Sequence, residues 1–444
     1  MTRIDQHKAN LLERIQSRTA HVGVVGMGYV GLPLALTLVE RAGFKVTAFD
    51  VDAKKIEALN RGDSYIMHLG AERVRAARET GRFDAAESFD RLSEPDALLI
   101  AVPTPLTEQR EPNMTYVVST ARDIKERLRP GQLVVLESTT YPGTTDELLK
   151  GILEESGLRC GEDFFLAFSP EREDPGNRDH NTATIAKVVG GVDAASTEVA
   201  AALYEAAIER VVTVASARAA EATKLTENIF RGVNIALVNE LKVIFARMGI
   251  DIWDVLDAAA TKPFGFMRFN PGPGLGGHCI PLDPFYLTWK VREYGMATRF
   301  IELSGEINRA MPEYVIERLQ SALNDRKKPV NGSRVLILGL SYKKDIDDVR
   351  ESPSFELIKL LLERGALVSY HDPHVPRAPS MRSWPDLPPL ESQPLTPELV
   401  ASVDAVLIST DHAAVDYDMV SKRAQLIVDT RGVFREPAAN VVQA

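Results

Sequence analysis

The chain has 444 residues, a length that predicts two or three folded domains. Its residues are 45% hydrophobic and 26% charged, a composition that excludes a disordered chain. Its 52 basic and 62 acidic residues give a net charge of −10, which argues against nucleic acid as a partner. No apolar run approaches the ~18 residues of a membrane helix, and the charged N-terminal stretch lacks the apolar core of an export signal. We therefore expect a cytoplasmic protein that binds neither membranes nor nucleic acid. Two cysteines, Cys160 and Cys279, are too few for a disulfide framework or a cysteine-rich zinc site, and no metal is expected.

The N-terminal third predicts a strand–helix–strand unit. A short amphipathic helix opens the chain, with apolar residues at helical spacing (Ile4, Leu11, Leu12 and Ile15). A β-type run at 21–25 leads through glycines to a helical stretch at 32–41 and a second β-rich run that ends at Asp50. Apolar runs at 97–105 and 132–140, separated by a helical pattern, are typical of buried parallel strands with crossover helices.

The middle of the chain has a different pattern, which predicts a long helix over 219–249 that a glycine closes. A second strand–helix–strand pattern begins at Arg334 and ends in an acid, Asp372, and further strand patterns lie at 405–410 and 426–430. We therefore predict an α/β fold of two Rossmann-like, doubly wound parallel-sheet domains joined by a long central helix. The predicted domains are an N-terminal domain (1–214), a central helical domain (215–325) and a C-terminal domain (326–444).

Gly26, Gly28 and Gly31 form a G-x-G-x-x-G turn between a predicted strand and helix, and Asp50 ends the next strand. The first glycine permits the tight turn, the second lets backbone amides approach a pyrophosphate, and the third packs the helix on the sheet. Asp50 would accept hydrogen bonds from the adenosine ribose, and a carboxylate there favours NAD over NADP. Turn glycines are common without a ligand, but the strand, helix and acid together predict dinucleotide binding.

Cys279 lies in a segment rich in glycine and proline, NPGPGLGGHCIPLDP. A free cysteine is usually a small buried hydrophobe, and Cys160, in a polar turn, has no predicted role. At Cys279, however, a Gly-Gly pair would leave backbone amides open to a ligand. His278 and Asp283 add ionisable groups beside a thiol that acts as a nucleophile only as the thiolate.

Four polar residues of the long helix, Glu221, Lys224, Asn228 and Arg231, are spaced by three or four and share one face. The ordinary interpretation is a solvated polar face. The functional alternative is that Lys224 and Asn228 converge on a developing oxyanion, as a hydride-transfer site requires.

Two polar segments, ESTTYPGTT (137–145) and FSPERE (168–173), follow predicted strands at the edge where open α/β sheets bind ligands. NAD together with a nucleophilic cysteine predicts a particular reaction. One hydride removal converts an alcohol into an aldehyde, the thiolate adds to give a thiohemiacetal, a second removal gives a thioester, and water releases the carboxylate. Two NAD molecules would be reduced per substrate.

In their order and spacing, these motifs resemble the UDP-glucose/GDP-mannose dehydrogenase family from Val22 to about Gly432. The motifs are VGMGYVGLPLA, FDVD, VPTP, ESTTYPGTT, FSPER, EATKLTEN, GPGLGGHCIPLDP and GLSYKKDIDDVRESP. HCIPLDP, SPER and the continuation FYLTWKVREYG are similar to the branch that oxidises UDP-N-acetylhexosamines. The resemblance implies an NAD-binding N-terminal domain, a UDP-sugar-binding C-terminal domain, precursors of surface polysaccharides as products, and a homodimer or higher oligomer paired through the central helices.

The resemblance also implies roles for single residues. Cys279 would be the nucleophile, Lys224 and Asn228 would stabilise oxyanions, and Asp283 and Thr139 would order the catalytic water. Glu171 aligns with the first family glutamate near the substrate and completes the catalytic set. The implied NAD site comprises Gly26, Gly28, Tyr29, Val30, Gly31, Asp50, Lys55, Thr104, Thr139 and Arg350. The implied substrate site comprises Glu171, Arg172, Lys224, Asn228, Arg268, Gly274, Gly276 and Lys344, with Lys344 at the diphosphate and the 271–277 loop around the sugar.

Two departures from the family pattern lie beside the expected sugar. The UDP-glucose and GDP-mannose enzymes usually have a second glutamate four residues after the first, but here that position is Pro175, so its task would pass to Glu173, water or no group. Leu282 precedes Asp283 where relatives often have lysine. We hypothesise that both changes accompany accommodation of a 2-acetamido group.

Several alternatives stay open at this point. The configuration at C2 of the sugar is undetermined, and UDP-glucose is a further candidate substrate. A β-hydroxyacid dehydrogenase with a similar N-terminal domain would stop after two electrons and would not need Cys279. A non-catalytic nucleotide-sugar-binding protein would have no use for the reactive set of Cys279, Lys224, Asn228 and Asp283.

Overall fold

The structure, a computed structural model, describes residues 2–66, 69–107, 109, 111–172, 182–277, 280–381 and 383–444. Four residues discussed above, Glu173, Pro175, His278 and Cys279, lie outside this part of the chain. The chain forms two compact units, one of residues 1–227 with 285–296 and one of residues 228–284 with 297–444. None of the helices in the described ranges is long and apolar enough to cross a bilayer.

The first unit is built on an eight-stranded sheet of order β3-β2-β1-β4-β5-β6-β7-β8. Its strands are β1 (His21–Val25), β2 (Lys45–Phe49), β3 (Phe83–Ala86), β4 (Ala97–Ile100), β5 (Leu133–Leu136), β6 (Phe165–Phe168), β7 (Lys187–Gly191) and β8 (Val211–Thr213). Neighbouring strands are parallel except β6 and β7, which run antiparallel. The strand order reverses between β1 and β4, and open α/β sheets bind ligands at such a reversal.

Helices cover this sheet on both faces. They are α1 (Arg3–Gln16), α2 (Gly31–Thr37), α3 (Ala53–Arg61), α4 (Ala71–Glu79), α5 (Thr115–Lys125), α6 (Lys150–Glu154) and α7 (Ala194–Glu205). Successive strand residues point to opposite faces, so Leu99 belongs to one core layer while Leu98 and Ile100 belong to the other. The helix predicted over 32–41 is α-helical only to Thr37 and continues as a π-helical turn, Leu38–Ala42.

The predicted long helix is present as α8 (Ala217–Met248) and is followed by Gly249 in the left-handed region, with φ of 72°. Its residues up to Glu227 belong to the first unit and the rest to the second. This confirms the central helix and its C-terminal end.

The second unit contains a parallel five-stranded sheet of order β10-β9-β11-β12-β13. Its strands are β9 (Arg334–Leu338), β10 (Leu367–His371), β11 (Ala405–Ile408), β12 (Ile427–Asp429) and β13 (Val441–Gln443). The remaining helices are α9 (Ile252–Ala260), α10 (Asp283–Lys290), α11 (Arg299–Asp325), α12 (Pro353–Glu363), α13 (Pro397–Ser402) and α14 (Tyr417–Arg423), with α10 from Phe285 onward in the first unit. Buried layers on both faces of this sheet, with Ile337 in one and Leu338 in the other, confirm a second doubly wound α/β fold.

Candidate functional site

The glycine turn after β1 has the geometry that a dinucleotide requires. Gly26 has φ of 98°, and a Cβ there would lie 2.5 Å from the carbonyl oxygen of Ala101. A Cβ on Gly31 would collide with the carbonyl oxygen of Gly26, whereas a Cβ on Gly28 would meet no atom within 4 Å. Packing therefore demands the first and third glycines, and the backbone at the second is open to an approaching pyrophosphate.

Asp50 lies at the end of β2 and is tied to this turn. Its Oδ2 accepts hydrogen bonds from the backbone N–H of Met27 at 2.8 Å and from Lys55 Nζ at 3.0 Å. Its Oδ1 accepts one bond among the described residues, from the backbone N–H of Asp52 at 2.9 Å. Because a carboxylate oxygen can accept two hydrogen bonds, Oδ1 can still receive a ribose hydroxyl. The turn and its acid thus fit NAD.

The other residues predicted for this site belong to the first unit, except Arg350, which belongs to the second. Tyr29 is exposed in the turn and Val30 directly precedes α2. After β4 and β5, the Thr104 hydroxyl donates to the carbonyl oxygen of Thr139 at 2.8 Å. The hydroxyl of Tyr286, a residue that the sequence analysis did not identify, donates to the carbonyl oxygen of Thr104. The structure therefore brings the VPTP and ESTTYPGTT segments together at the carboxyl edge of the sheet.

The polar face of α8 is buried, so the interpretation as a solvated face is wrong. Its buried polar residues are Glu221, Lys224, Asn228, Asn239 and Lys242, each 6% exposed or less. Asn239 and Lys242 were not identified from the sequence, although the spacing of eleven residues from Asn228 to Asn239 corresponds to three helical turns.

Glu221 explains part of this burial. Its carboxylate accepts bonds from the backbone N–H groups of Gly143 at 2.7 Å and Thr145 at 2.9 Å, and from the Thr145 hydroxyl at 2.7 Å. Burial raises the pKa of Glu221 to about 7, although these three donors favour the ionised form. Glu221 therefore fixes α8 to the segment that carries Thr139.

In the second unit, Asn228 is bonded to Asp283, the first residue of α10. The Asn228 amide nitrogen donates to Asp283 Oδ2 at 2.5 Å, and its oxygen accepts from Arg231 at 2.5 Å. These bonds fix the orientation of the amide, and one N–H of Asn228 has no partner among the described residues. Cys279, four residues before Asp283 in the sequence, lies outside that part of the chain.

Glu171 and Arg172 follow β6 and both have charged partners in the first unit. Glu171 Oε2 lies 3.4 Å from Lys187 Nζ. The Arg172 guanidinium binds Glu227 at 2.6 Å and the carbonyl oxygen of Ala186 at 2.6 Å. The sequence analysis did not identify Lys187, because a lysine at the start of an apolar strand matches no motif.

The cationic residues predicted in the second unit also have acidic neighbours. Arg268 is paired with Asp257, and Arg350 binds Asp348 at 2.6 Å. The half-exposed Lys344 lies 3.7 Å from Asp411. Phosphate binding by any of the three would compete with these carboxylates.

The 271–277 loop packs closely on the second unit. Gly274 has φ of 141°, and a Cβ on Gly276 would collide with the side chain of Tyr342. The backbone N–H of Gly277 donates to the carbonyl oxygen of Arg350 at 2.9 Å. The expectation of open amides at the Gly-Gly pair is therefore wrong for Gly277, because this glycine serves close packing of the backbone.

An acidic residue is also bonded to a turn at the carboxyl edge of the second sheet, as Asp50 is in the first. Asp372 Oδ2 accepts from the backbone N–H groups of Leu340 at 2.6 Å and Ser341 at 3.0 Å, and lies 3.1 Å from His412 Nε2. Burial opposes ionisation, but His412 and the amide donors outweigh it and lower the pKa of Asp372 to about 2.

Asp345, His374 and His412 place potential metal-ligand atoms within 4.8 Å of one another beside Asp372. His412 Nδ1 already accepts the backbone N–H of Asp345 at 3.0 Å, and its other ring nitrogen faces Asp372. The arrangement is a hydrogen-bonded cluster, and we assign no metal to it.

Three models of one family match the chain in order. They describe the NAD binding domain (residues 20–208), the central domain (218–310) and the UDP binding domain (336–436) of the UDP-glucose/GDP-mannose dehydrogenase family. The chain is 38% identical over 365 residues to UDP-N-acetyl-D-glucosamine 6-dehydrogenase of Pseudomonas aeruginosa, covering 82% of this chain and 85% of that protein.

Two solved structures are similar over almost the whole chain. UDP-D-ManNAc dehydrogenase from Pyrococcus horikoshii superposes with a TM-score of 0.85 at 28% identity, covering 95% of this chain and 98% of that one. NDP-N-acetyl-D-galactosaminuronic acid dehydrogenase from Methanosarcina mazei Go1 has a TM-score of 0.82 at 34% identity, covering 100% and 97%. The chain therefore belongs to the UDP-glucose/GDP-mannose dehydrogenase family and is an NAD-dependent nucleotide-sugar dehydrogenase.

Proposed function

We propose that this enzyme oxidises the C6 primary alcohol of a UDP-N-acetylhexosamine, in the first place UDP-N-acetyl-D-glucosamine, to the uronic acid. The three relatives described above are all named for nucleotide-linked 2-acetamido sugars, and the relative named for UDP-N-acetyl-D-glucosamine is 38% identical. The match to the UDP binding domain supports a UDP-sugar. The mannosamine isomer and UDP-glucose are the alternative substrates.

Bound NAD supplies the hydride acceptor for both oxidations. Asp50 and the turn at 26–31 hold it, with Lys55, Thr104, Thr139 and Arg350 as further contacts. The Cys279 thiolate adds to the aldehyde carbon, and the Lys224 ammonium and the remaining N–H of Asn228 stabilise the oxyanion of the adduct. Asp283 and Thr139 orient the water that attacks the thioester carbon, and Cys279 leaves as the thiolate.

The observation that carries this proposal is the hydrogen bond between Asn228 and Asp283. It joins the helix of the EATKLTEN motif to the residue four positions after Cys279, which supports a single reaction centre for the two motifs. For the sugar and its diphosphate we propose Glu171, Arg172, Arg268, Gly274, Gly276 and Lys344 as contacts. Arg172 and Arg268 would exchange their present carboxylate partners for the substrate.

The test is the amount of NADH formed per sugar. The purified protein is incubated with limiting UDP-N-acetylglucosamine, its galacto and manno isomers, UDP-glucose or GDP-mannose, and NADH is counted at completion. We expect two NADH per UDP-N-acetylglucosamine and the highest kcat/KM for that sugar. One NADH per sugar would refute the thioester pathway, and a preference for another sugar would refute the substrate assignment.

Cys279→Ser separates the covalent step from binding. The weaker hydroxyl nucleophile should stop the reaction after the first oxidation or at a slow ester, while affinity for NAD is unchanged. Wild-type steady-state turnover in this variant would contradict the role of Cys279.

We also propose the three-domain division at 1–214, 215–325 and 326–444 and a homodimer or higher oligomer paired through the central helices. Three large apolar residues of α8, Phe230, Leu237 and Ile244, recur every seven residues and are 44–49% exposed. Such spacing is typical of a helix that pairs with another helix. Light scattering should show a monomer for Leu237→Glu and an oligomer for the wild type.

A further inference from the structure

Lys187 is a buried cation at the carboxyl edge of the first sheet. β7 runs antiparallel to β6, with Phe168 opposite Gly190, so the first residue of β7 lies beyond the end of β6. Lys187 therefore reaches the edge where Glu137 follows β5 and Glu171 follows β6. Its side chain is 4% exposed, and its backbone N–H is held by the carbonyl oxygen of Arg210 at 2.8 Å.

Two carboxylates share this lysine. Lys187 Nζ lies 2.5 Å from Glu137 Oε2 and 3.4 Å from Glu171 Oε2. The other oxygen of Glu137 accepts the hydroxyl of the fully buried Tyr204, whose ring centroid lies 5.3 Å from Lys187 Nζ. Burial opposes the charge of Lys187, but the two carboxylates outweigh burial and raise its pKa.

The exposure of the two carboxylates bound to Lys187 increases from the interior outward. The side chain of Glu137 is 0% exposed, whereas that of Glu171 is 13% exposed. Glu171 Oε1 also accepts the backbone N–H of Arg172 at 2.7 Å. Glu137 and Tyr204 thus fix Lys187 from the inside, and Lys187 and Arg172 fix the two oxygens of Glu171 toward the outside.

We propose that Lys187 is a positioning residue that holds the Glu171 carboxylate in place for its contact with the sugar. This inference rests on the function proposed above. An ammonium within 4 Å favours the charged form of a carboxylate, and a group fixed by two bonds loses little freedom when the substrate arrives. Glu137 and Tyr204 have no contact with the substrate in this scheme and act only through Lys187.

Lys187→Met removes the cation but leaves Glu137 buried without its partner. The double variant Lys187→Met/Glu137→Gln avoids that buried charge because the introduced amide side chain is neutral. Its oxygen can still accept the Tyr204 hydroxyl. Lys187→Arg keeps the charge and alters its position. Lys125→Met, which breaks a surface ion pair with Glu155 at 3.1 Å, is the matched control.

We expect kcat of the double variant to fall on the order of 10–100-fold with KM for NAD unchanged. The acidic limb of the kcat/KM profile should move to higher pH in the single Lys187→Met variant, which removes the cation beside Glu171 and leaves the Glu137 carboxylate in place. Lys187→Arg should lower kcat without moving that limb, and Lys125→Met should match the wild type.

A folded double variant with the wild-type kcat would overturn the proposal, and so would a folded Lys187→Met variant with the wild-type pH profile. If neither Met variant folds, a wild-type kcat for Lys187→Arg would overturn it as well. A wild-type enzyme that oxidises none of the UDP-sugars would instead refute the proposed function, so the two failures are distinguishable.

Discussion

Asn228 donates its side-chain amide to the carboxylate of Asp283 across 2.5 Å, within the second unit. If the two residues act on one reaction centre, their substitutions should not be additive. We expect Asn228→Ala and Asp283→Ala each to lower kcat on the order of 10²-fold, and the double variant to lose about as much as either single variant. Steady-state kinetics of the three variants measures the coupling. Losses that multiply in the double variant would contradict a shared role.

Asp50 should govern affinity for NAD. Asp50→Asn keeps the shape of the side chain but weakens its bonds to the Met27 amide, Lys55 and the ribose, so we expect NAD affinity to fall about tenfold. Calorimetric titration with NAD and, separately, with the UDP-sugar provides the measurement. UDP-sugar affinity should be unchanged, and an equal loss for both ligands would show a general folding defect.

Asp372 should stabilise the second unit in a pH-dependent manner. The pKa of Asp372 is lowered from 3.8 to about 2 in the fold, so the stabilisation is present above about pH 4 and is lost as the pH falls from about 4 to 2. We expect Asp372→Asn to lower the free energy of unfolding by about 2 kcal/mol at pH 7. Denaturant unfolding at several pH values should show the difference from the wild type shrinking below pH 4; a difference that is constant with pH would contradict this account.

Lys242 should destabilise the fold. Burial lowers the pKa of Lys242 to about 7 against the attraction of Asp429, and Arg431 and Arg318 lower it further. Nζ has one hydrogen bond among the described residues, to the carbonyl oxygen of Thr430 at 3.3 Å. Between pH 7 and 10.5 the unfolded chain binds the proton more tightly, so stability rises with pH in that range.

Lys242→Met is therefore expected to raise Tm by several degrees, since 1 kcal/mol shifts Tm by about 2–4 °C in units of this size. Calorimetry should show the largest gain below pH 7 and a smaller gain toward pH 10. Lys242→Arg, which keeps a charge in the same place, is the control and should not raise Tm. A lower Tm for Lys242→Met would contradict the destabilising role.

The sequence predicted those parts of the site whose geometry is determined by residues close in the chain. Gly26 and Gly31 are required by contacts within a few residues or with the adjacent strand. The spacing of Glu221, Lys224 and Asn228 placed them on one face of α8 but did not show that this face is buried. The contacts of Lys187 with Glu137 and Glu171 could not be predicted because they depend on β7 running antiparallel to β6. Gly277 was misinterpreted because its packing partner, Arg350, is distant in the chain, and a Gly-Gly pair has the same sequence whether its amides face a ligand or another loop.

The reversed direction of β7 has a consequence for how Lys187 is anchored. A residue that begins a strand is anchored by the ladder behind it, so Lys187 does not depend on the length of the connection from Phe168. We therefore expect exchanges in that connection to leave the buried Glu137–Lys187 pair in place.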